Sequence, residues 1–465
     1  MIIRNIKHII LIILSIIIIP IFSQEANGLP PSNFLDSDSG SIDNPFKISC
    51  LLNLLWLSET QEVWGDEEIQ FYFIQTADID ASDTFDWNYG EGFRGIGVHY
   101  LNVQNPLDAN NIAFMGHFDG NNYVISNLHM NPISNANYIK SAGLFLFIKN
   151  SSIKNIHLNN VNITGNFMVG SLVALSMNSI FFNCSTSGNI VSNANSTGGV
   201  VGFDNSSRFD KVYSKVHIVA NNSFTLGGLI GSTSNAFISN SFYYGSLTSE
   251  SIIGLRGGIV GLANHSVINY VYVTSSKIFY NVFGLAGELG NSTITKCFWD
   301  KESTGQNIAF GRLIGGIQRN NYGKNTNELK IKETFINNDW DFRDIWDICH
   351  DENDGFPYFK ETGTSIDEQI KFLENARLIG NYPNPFNPNT TIKYSLANAS
   401  NVRIDIFNIK GQKVKELLNS IMPIGNHSVK WNGIDDQGRF VGSGIYFYRM
   451  MSDDQIETKR MVLLK

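Results

Sequence analysis

The sequence predicts an all-β chain in which a parallel β-solenoid (β-helix) with short capping helices precedes an antiparallel β-sandwich. Two observations support this fold class. A glycine-rich phrase recurs every 26 to 30 residues between residues 143 and 284, and self-similarity at such a period is typical of repeat architectures. From residue 378 onward, alternating strand-like segments are separated by turn residues, which favours an antiparallel sandwich of about seven strands.

The composition excludes several classes of protein. Of 465 residues, 43% are hydrophobic and 16% are charged, which is enough apolar material for large cores and excludes wholesale disorder. The net charge is −8, from 34 basic and 42 acidic residues. Because no cluster of Lys or Arg could neutralise a row of phosphates, nucleic acid is not expected as a partner.

The first 23 residues predict a cleavable export signal. Arg4 and Lys7 precede an apolar run from Ile9 to Ile19 that Ser15 interrupts, which matches the charged and apolar regions of a signal peptide. A membrane anchor is the alternative, but a bilayer span needs about 20 apolar residues. No later segment of the sequence is long and apolar enough, so we expect no transmembrane span in the mature chain.

Each copy of the glycine phrase marks one coil of the predicted solenoid. The apolar stretches between copies are too short for helical repeats, the period is too short for a propeller blade, and the ladder of a leucine-rich repeat is missing. A parallel β-solenoid with one turn per repeat remains, with glycines at corners or at close backbone contacts. The aligned repeat glycines are Gly143, Gly170, Gly199, Gly228, Gly258 and Gly284.

The four cysteines are Cys50, Cys184, Cys297 and Cys349, and their spacing matches no zinc site. Cys184 and Cys297 fall near one column of the solenoid but four coils apart, which is about 19 Å at a rise of about 4.8 Å per coil. Because bridged α-carbons lie within about 7 Å of each other, we expect separate buried thiols. A bridge between Cys297 and Cys349 stays open.

Both ends of the solenoid are expected to carry caps, because open ends present unpaired strand edges. A run with helical periodicity lies between residues 45 and 64. On the far side, Asn325 and Glu328 have the spacing of a capping box that opens a short helix to about Ile336. The predicted domains are a signal peptide (1–23), an N-terminal linker, cap and first solenoid strands (24–142), the repeat solenoid (143–300), a C-terminal cap and linker (301–377) and the C-terminal sandwich (378–465).

The order of the phrases in the solenoid resembles a known family. NPFKIS, FIQTADID, GHFDGNNYVISNL, GLF with the GGLIG copies, CFWDKESTGQ and GFPYF follow one another over about residues 43–360, as in bacterial exported proteins with GLUG-motif repeats. That family is similar to surface adhesin-like proteins and to regions flanking certain immunoglobulin-cleaving metallopeptidases. The segment Ser171–Ala174 departs from the pattern because it lacks the closing glycine.

The C-terminal module has a proline-rich entry and a glycine–tyrosine phrase near its end. The residues of this pattern are Tyr382, Pro383, Pro385, Phe386, Pro388, Gly444, Tyr446 and Lys465. With this pattern the module resembles the sorting domain of the type IX secretion system, itself similar to the immunoglobulin-like (Ig-like) fold of flagellar hook-capping proteins. The resemblance implies that the secretion machinery is a partner and that the chain is secreted or displayed on the outer face of the outer membrane. An Ig-like domain without a sorting role is the alternative, and cleavage of the module stays open.

Catalysis on a solenoid requires converging carboxylates, since paired acids must lie about 5 to 9.5 Å apart. The acids of the solenoid fall in different columns, so we expect no catalytic residue, no cofactor, no metal and no enzyme activity. The histidines share no column and are expected to be structural, and His350 lacks the second histidine of a zinc protease helix. The acids are Asp204, Asp210, Glu250, Glu288 and Asp300, and the histidines are His117, His129, His157, His217 and His265.

Two acidic patterns precede the solenoid repeats. Asp78 and Asp80 are expected to form hydrogen bonds in turns or caps rather than to bind a metal. Asp36, Asp38 and Asp43 supply the oxygen ligands that Ca²⁺ prefers, but a solvated linker is the preferred interpretation.

Aromatic residues recur on neighbouring coils. One coil contains Phe242, Tyr243 and Tyr244, and the equivalent stretch of the next coil contains Tyr270 and Tyr272. Their rings are therefore expected to form ladders along the stack. Inward rings would belong to the core. Outward rings would form an exposed strip with Asn and Ser, which predicts a sugar-binding or protein-binding face.

These patterns together predict an exported, non-catalytic, adhesin-like binding protein that is secreted or held at the cell surface, with an unknown glycan or protein ligand. A carbohydrate-active β-helix enzyme, either a polysaccharide lyase or a hydrolase, is the alternative. A structural surface-layer component that assembles with itself is the third interpretation.

Overall fold

The computed structural model confirms the predicted all-β architecture. It describes residues 27–36, 38–102, 111–134, 138–251, 253–275, 282–360, 377–396, 400–422, 425–452 and 456–464. The predicted signal peptide and Lys465 lie outside these residues. Among the described helices, none has both the length and the apolar character that crossing a membrane requires.

Strands dominate the described chain. The strands before the repeats are β1 (Phe46–Ile48), β2 (Tyr72–Gln75), β3 (Ile79–Asp80), β4 (Tyr100–Asn102), β5 (His117–Asp119), β6 (Val124–Ser126), β7 (His129–Met130) and β8 (Tyr138–Lys140). The repeats contain β9 (Phe145–Lys149), β10 (Ser152–Lys154), β11 (His157–Gly165), β12 (Met168–Gly170), β13 (Val173–Met177), β14 (Ile180–Ser192), β15 (Ser196–Gly198), β16 (Val201–Asn205), β17 (Arg208–Ala220), β18 (Thr225–Gly227), β19 (Ile230–Ser234), β20 (Phe237–Ser249), β21 (Leu255–Gly257), β22 (Val260–Asn264), β23 (Val267–Ser275), β24 (Ala286–Gly290), β25 (Thr293–Thr295) and β26 (Phe298–Asp300).

The remaining elements follow the repeats or interrupt the strands. The strands after the repeats are β27 (Phe310–Ile314), β28 (Ile317–Arg319), β29 (Tyr322–Lys324), β30 (Trp346–Asp347) and β31 (Tyr358–Phe359). The C-terminal module contains β32 (Arg377–Tyr382), β33 (Thr390–Leu396), β34 (Ser400–Asn408), β35 (Lys413–Met422), β36 (Gly425–Trp431), β37 (Gly444–Met451) and β38 (Ile456–Leu463). The helices are α1 (Leu51–Glu59), α2 (Lys301–Thr304) and α3 (Lys332–Ile336), with 3-10 turns at Gln61–Val63, Ser82–Gly90, Glu328–Lys330 and Asn353–Gly355.

Three parallel sheets form the solenoid, and each central coil contributes one strand to each sheet. The chain runs from the short face (β12-β15-β18-β21) through the middle face (β9-β13-β16-β19-β22-β24-β27) to the long face, whose main path is β1-β2-β5-β10-β14-β17-β20-β23-β25-β28. Successive coils stay in register, since Val173 pairs with Val201 and Val201 pairs with Ile230. About nine turns stack in this way.

Inward-facing side chains of successive coils stack into columns that form the core. Ile163, Ile190, Ile218 and Leu247 form one such column across four coils, and all four are fully buried. Burying one such side chain contributes about 1.5–3 kcal/mol, whereas ordering the backbone of one residue costs about 1–2 kcal/mol. A coil therefore becomes stable only when neighbours cover it on both sides.

Asparagine, rather than the repeat glycine, turns the corners of the coil. One column of residues with positive φ lies between the middle and long faces, and a second bends the strands of the long face. Asn tolerates this left-handed conformation better than most residues with a side chain. The first column is Asn150, Asn178, Ser206, Asn235, His265 and Asn291, and the second is Asn155, Asn183, Lys211, Asn240, Tyr270 and Lys296.

The repeat glycines lie where the backbones of successive coils meet. A Cβ on Gly199 would collide with the carbonyl oxygen of Gly228, and a Cβ on Gly228 would collide with that of Gly258. The Cβ on Gly228 would also lie 2.5 Å from Cδ1 of Tyr243. Any side chain at Gly228 would therefore push neighbouring coils apart. Three other repeat glycines are enclosed in the same way. A Cβ on Gly143 would collide with the carbonyl oxygen of Gly170, and a Cβ on Gly258 would collide with that of Gly284. A Cβ on Gly284 would collide with the ring of Trp299.

One predicted repeat glycine falls outside this column. The pairing of Val173 with Val201 places Ser171 opposite Gly199, and Gly170 pairs with Gly198. The predicted alignment is therefore shifted by one residue at this coil, because the GG pairs of later coils offer two glycines to match.

The two ends of the solenoid differ. At the N-terminal end, Trp56 of α1 packs edge-on against Phe46 of β1 with ring centroids 5.6 Å apart. At the other end, β27, β28 and β29 add a further coil by pairing with β24, β25 and β26, and β27 and β28 are largely exposed. Residues 325–360 pack on the outer side of the long face instead. The predicted C-terminal cap is therefore a segment along the flank, which we call the flank strap.

All four cysteines are free thiols. Cys184 and Cys297 lie in one column of the long face, with Val212 and Val271 on intervening coils. Burial raises the pKa of both thiols to about 12, so they are inert core residues. Cys50 and Cys349 are exposed.

The C-terminal module is the predicted antiparallel sandwich. One sheet has the order β32-β33-β36 and the other has the order β35-β34-β37-β38. Their inner faces enclose Ile404, Trp431, Tyr448 and Met461, each at most 1% exposed. This core contains none of the solenoid residues.

Candidate functional site

One predicted acid, Asp204, is enclosed in the core of the solenoid. Asp204 is fully buried on the middle face and accepts hydrogen bonds from Ser176 Oγ at 2.6 Å and Thr233 Oγ1 at 2.7 Å. These hydroxyls belong to the coils on either side. Burial raises the pKa of Asp204 above its usual value. Because it has no access to solvent, Asp204 cannot reach a substrate.

Three of the other predicted acids form structural contacts, whereas Glu250 is exposed just after β20. Asp300 is fully buried and caps α2 by accepting from the backbone N–H groups of residues 302 and 303. Asp210 accepts hydrogen bonds from Ser239 at 2.6 Å and from Asn240 at 2.7 Å. Glu288 forms an ion pair with its neighbour on the last coil, Arg312, at 2.9 Å. Among the paired strands, no two of these acids stand side by side on adjacent coils.

The predicted histidines are dispersed. His157 and His217 each share a hydrogen bond through Nδ1 with a serine hydroxyl of the next coil, at 2.8 and 3.0 Å. His117 stacks on Tyr72 with ring centroids 4.7 Å apart, and burial lowers its pKa to about 4. Within the described ranges, no group of three or more His, Cys, Asp or Glu side chains could hold a metal ion.

His99, a buried histidine of the N-terminal coils, was not singled out from the sequence. Its Nδ1 lies 2.8 Å from Ser141 Oγ, and its ring stacks on Phe167 at 5.4 Å. Burial lowers the pKa of His99 to about 4. His129 lies in β7 and His265 turns a corner with a φ of 51°. Each of these histidines thus contributes to packing, to hydrogen bonding or to the path of the backbone.

Three of the early aspartates form hydrogen bonds, two of them to the neighbouring coil and one within the N-terminal segment. Asp78 accepts from the backbone N–H of Val124 at 2.8 Å, and Asp80 accepts from Asn127 Nδ2 at 2.9 Å. Asp38 accepts from the side chain of Asn44 at 3.0 Å.

The predicted aromatic ladder exists on the outside of the long face. Tyr213, Phe242 and Tyr272 stack on successive coils, with ring centroids 4.6 and 4.9 Å apart and interplanar angles of 4° and 9°. Tyr243 points inward and is fully buried. The expectation that the outward rings are exposed is wrong, since Phe242 and Tyr272 are 2% and 0% exposed.

The flank strap covers this ladder. Its own apolar residues form a second core with the ladder, separate from the interior of the solenoid. Asn325 N–H donates to Glu328 Oε2 at 2.8 Å at its start, and a 3-10 turn followed by α3 forms its first part. The strap residues in this core are Leu329, Phe335, Trp340, Phe342, Trp346 and Phe356.

Polar contacts fix the strap at its edges. Tyr272 Oη donates to the carbonyl oxygen of Pro357 at 2.6 Å, so the hydroxyl of a buried ring is satisfied. Tyr244 Oη donates to Asp354 at 2.6 Å, and Lys296 Nζ forms an ion pair with Asp339 at 2.8 Å. The ladder is therefore an intramolecular docking surface.

Part of the long face remains open to solvent. We call it the amide–valine face, and it comprises the outward residues in the second halves of β11, β14, β17 and β20. Val191 and Val219 at its centre are 40% and 41% exposed. Its two columns are Asn162, Asn189, His217 and Ser246, and Thr164, Val191, Val219 and Thr248. Ser246, at the end of the first column, is buried, so the open part of that column ends at His217.

The predicted sorting residues fasten the start of the C-terminal module to its last strand. Phe386 N–H donates to Val462 O at 2.9 Å, and Leu464 N–H donates to Phe386 O at 2.9 Å. Phe386 is 2% exposed, and its ring lies 5.5 Å from that of Trp431. The Pro383 carbonyl accepts from a hydroxyl of β33 at 2.8 Å.

The remaining sorting residues support the same junction. Tyr446 packs edge-on against Trp431 at 5.2 Å, and its hydroxyl donates to the Gly442 carbonyl at 2.8 Å. Gly444 opens β37 opposite Leu463. Tyr382 ends β32, Pro385 follows a cis peptide bond, and Pro388 lies beside Gly433 in the loop before β33.

Comparison with known proteins identifies the C-terminal module. Residues 381–464 match the family model of the secretion system C-terminal sorting domain. A curated relative, halomucin from Haloquadratum walsbyi, is 33% identical over 165 residues, which is 35% of this chain and 2% of that protein. The chain thus spans only a small part of the length of this relative.

Two solved structures are similar at lower identity. One is PorZ, a surface component of the type-IX secretion system of Porphyromonas gingivalis, with 21% identity, coverage of 24% of this chain and 14% of that chain, and a TM-score of 0.16. The other is IgA1 protease, with 17% identity, coverage of 60% of this chain and 21% of that chain, and a TM-score of 0.38. Neither likeness bears on the activity of this chain. The family match confirms the predicted sorting domain, and it indicates that the chain is secreted or held at the cell surface.

Proposed function

We propose that this chain is an exported binding protein without catalytic activity, which presents its solenoid to the surroundings of the cell. One observation supports this function most: four of the five predicted carboxylates of the solenoid are engaged in structural bonds, and the fifth, Glu250, is exposed without another of these acids beside it. Asp204 and Asp300 are fully buried, Asp210 bonds two side chains of the next coil, and Glu288 is paired with Arg312. General acid and base catalysis needs two carboxylates free to approach one bond.

The resemblance of the repeats to GLUG-motif proteins, which remains a prediction, favours the same function. A stack of coils presents a long, rigid, repetitive surface, and such a surface suits adhesion to an extended partner. By this proposal the sorting domain delivers the solenoid, and the solenoid binds.

The test of catalysis uses the full chain without its predicted signal peptide, incubated with a panel of polysaccharides. We expect no new reducing ends and no unsaturated products. Turnover that Asp210→Asn or Glu250→Gln abolishes would replace this function with the carbohydrate-active enzyme. Light scattering of the same sample tests the surface-layer interpretation, which requires that the chain assembles with itself without any added partner.

The test of routing is expression in a host with the secretion system. Deletion of residues 378–465 should leave the chain in the periplasm, and Phe386→Ala should reduce delivery because Phe386 anchors the motif to the last strand. Ile409→Ala is the matched control, since Ile409 is 72% exposed in the same domain. Normal delivery of the truncated chain would contradict the routing.

A further inference from the structure

The amide–valine face is a regular lattice, because its strands pair in register. Residues of one column repeat at about 4.8 Å from coil to coil, and neighbouring outward columns lie about 7 Å apart along the strands. The inward residues between them, including Ile190 and Ile218, are fully buried. The outward side chains are therefore held on a rigid support.

The chemistry of this lattice is neutral and mixed. Neither column contains Asp, Glu, Lys or Arg. Asn162 and Asn189 are exposed on adjacent coils, and each amide can donate and accept hydrogen bonds. The exposed Val191 and Val219 stand in the next column on adjacent coils, so a row of amides runs beside a row of aliphatic groups.

Two further apolar groups extend the face where the long face ends. Phe224 and Ile253 lie in the loops after β17 and β20 and are 55% and 72% exposed. The backbone joins these loops, because Leu255 N–H donates to Phe224 O at 2.7 Å. On the opposite side the face ends at Lys215, which lies over the ring of Tyr244 at 5.6 Å.

We propose that the amide–valine face binds a neutral, linear polysaccharide, which rests on the proposed function of the chain as a binding protein. Sugar hydroxyls both donate and accept, as the Asn amides do, and the C–H faces of sugar rings pack on aliphatic and aromatic side chains. A polymer of repeating units gains affinity on a surface that offers similar groups on each coil, because several units can bind at once. An anionic polysaccharide would find no lysine or arginine side chain in either column.

The surface differs from a protein-docking site. Interface centres are enriched in Tyr, Trp, Met and Arg that insert into pockets, whereas neither column of this face contains any of these residues. A neutral glycan is thus the ligand class that its composition favours.

The experiment measures depletion of the full chain by insoluble neutral polysaccharides (cellulose, xylan, mannan) and by anionic ones (pectate, alginate), at low and high salt. We expect binding to a neutral polysaccharide that salt does not weaken, because no ion pairs are involved. The double variant Val191→Glu/Val219→Glu should bind at least about tenfold more weakly, which corresponds to about 1.4 kcal/mol. Ile308→Glu is the control, since Ile308 is 61% exposed on the last part of the solenoid.

Each outcome has one meaning once thermal unfolding shows that the variants fold. Neutral binding that the double variant retains overturns this face and leaves the binding function intact. Binding only to the anionic polysaccharides, or binding to nothing in the panel, overturns the ligand class. Release of soluble sugars from the bound polysaccharide contradicts the non-catalytic function itself.

Discussion

Replacing Gly228 with alanine should destabilise the solenoid far more than a single methyl group suggests. The added Cβ would lie 2.5 Å from Cδ1 of Tyr243 and nearer still to the carbonyl oxygen of Gly258. Tyr243 is fully buried and its hydroxyl donates to Val216 O at 2.8 Å, so the ring cannot move without breaking that bond. The carbonyl belongs to the next coil and moves only with its backbone.

The magnitude follows from these distances. Carbon atoms in contact lie about 3.5–4.0 Å apart, so the ring must shift by about 1 Å or more. Overpacking of a core costs about 1–3 kcal/mol, and we expect about 3 kcal/mol because one obstacle is backbone. A unit of this size loses about 2–4 °C of Tm per kcal/mol, which predicts a Tm lower by about 6–12 °C.

The matched control is Ser171→Ala. Ser171 occupies the same column two coils away, it already carries a Cβ, and its hydroxyl has no hydrogen-bond partner among the described residues. Its replacement should change the stability by less than about 1 kcal/mol. Calorimetry of the full chain measures both variants, and the C-terminal module, which has its own core, provides an internal reference. Equal Tm values for the two variants would refute the close stacking of coils at the glycine column.

Three further predictions concern acid, the flank strap and the sorting domain. Burial lowers the pKa of His99 from 6.5 to about 4, so its contribution is present above pH 6.5 and about 3 kcal/mol is lost as the pH falls toward 4; denaturant titrations should show a smaller loss for His99→Gln. Trp346→Ala should cost about 3–5 kcal/mol, whereas Asp339→Asn at the exposed strap ion pair should cost less than about 1 kcal/mol, both measured in urea. Phe386→Ala should lower the free energy of unfolding of the sorting domain by about 3–5 kcal/mol. The unfolding transition of the solenoid should stay unchanged, and calorimetry measures the two transitions separately.

Periodicity made the solenoid predictable, because every coil must place glycine and apolar residues at the same positions. The register was harder to predict. At Gly170 the glycine itself misled the alignment, and the strands paired through Val173 and Val201 instead. The corner asparagines were visible in the sequence, since Asn150 and Asn178 recur one period apart, but a positive φ is a property of the backbone that residue identity alone does not fix.

The covered ladder could not be predicted from the solenoid repeats. An outward ring such as Phe242 has the same sequence pattern whether it binds a ligand or packs against another part of the chain. The available signal lay elsewhere, in the aromatic residues Trp340, Trp346 and Phe356 of a segment without a repeat. Apolar residues in a short segment must cover some surface, and the strip of rings was the apolar surface that the solenoid offered.

The strap also changes how the solenoid resists unfolding. In a bare solenoid each coil contacts only its neighbours, so unravelling can begin at an open end. Here Trp346 contacts both Phe242 and Tyr272, and Phe335 contacts both Tyr272 and Phe298. Three successive coils, which already pair through their strands, are thereby also linked through a second core. The strap follows the exposed last coil directly in the chain, so its docking on the ladder holds the C-terminal end of that coil close to the stack. The exposed end and the covered ladder are therefore parts of one arrangement, in which the stack is secured from its side.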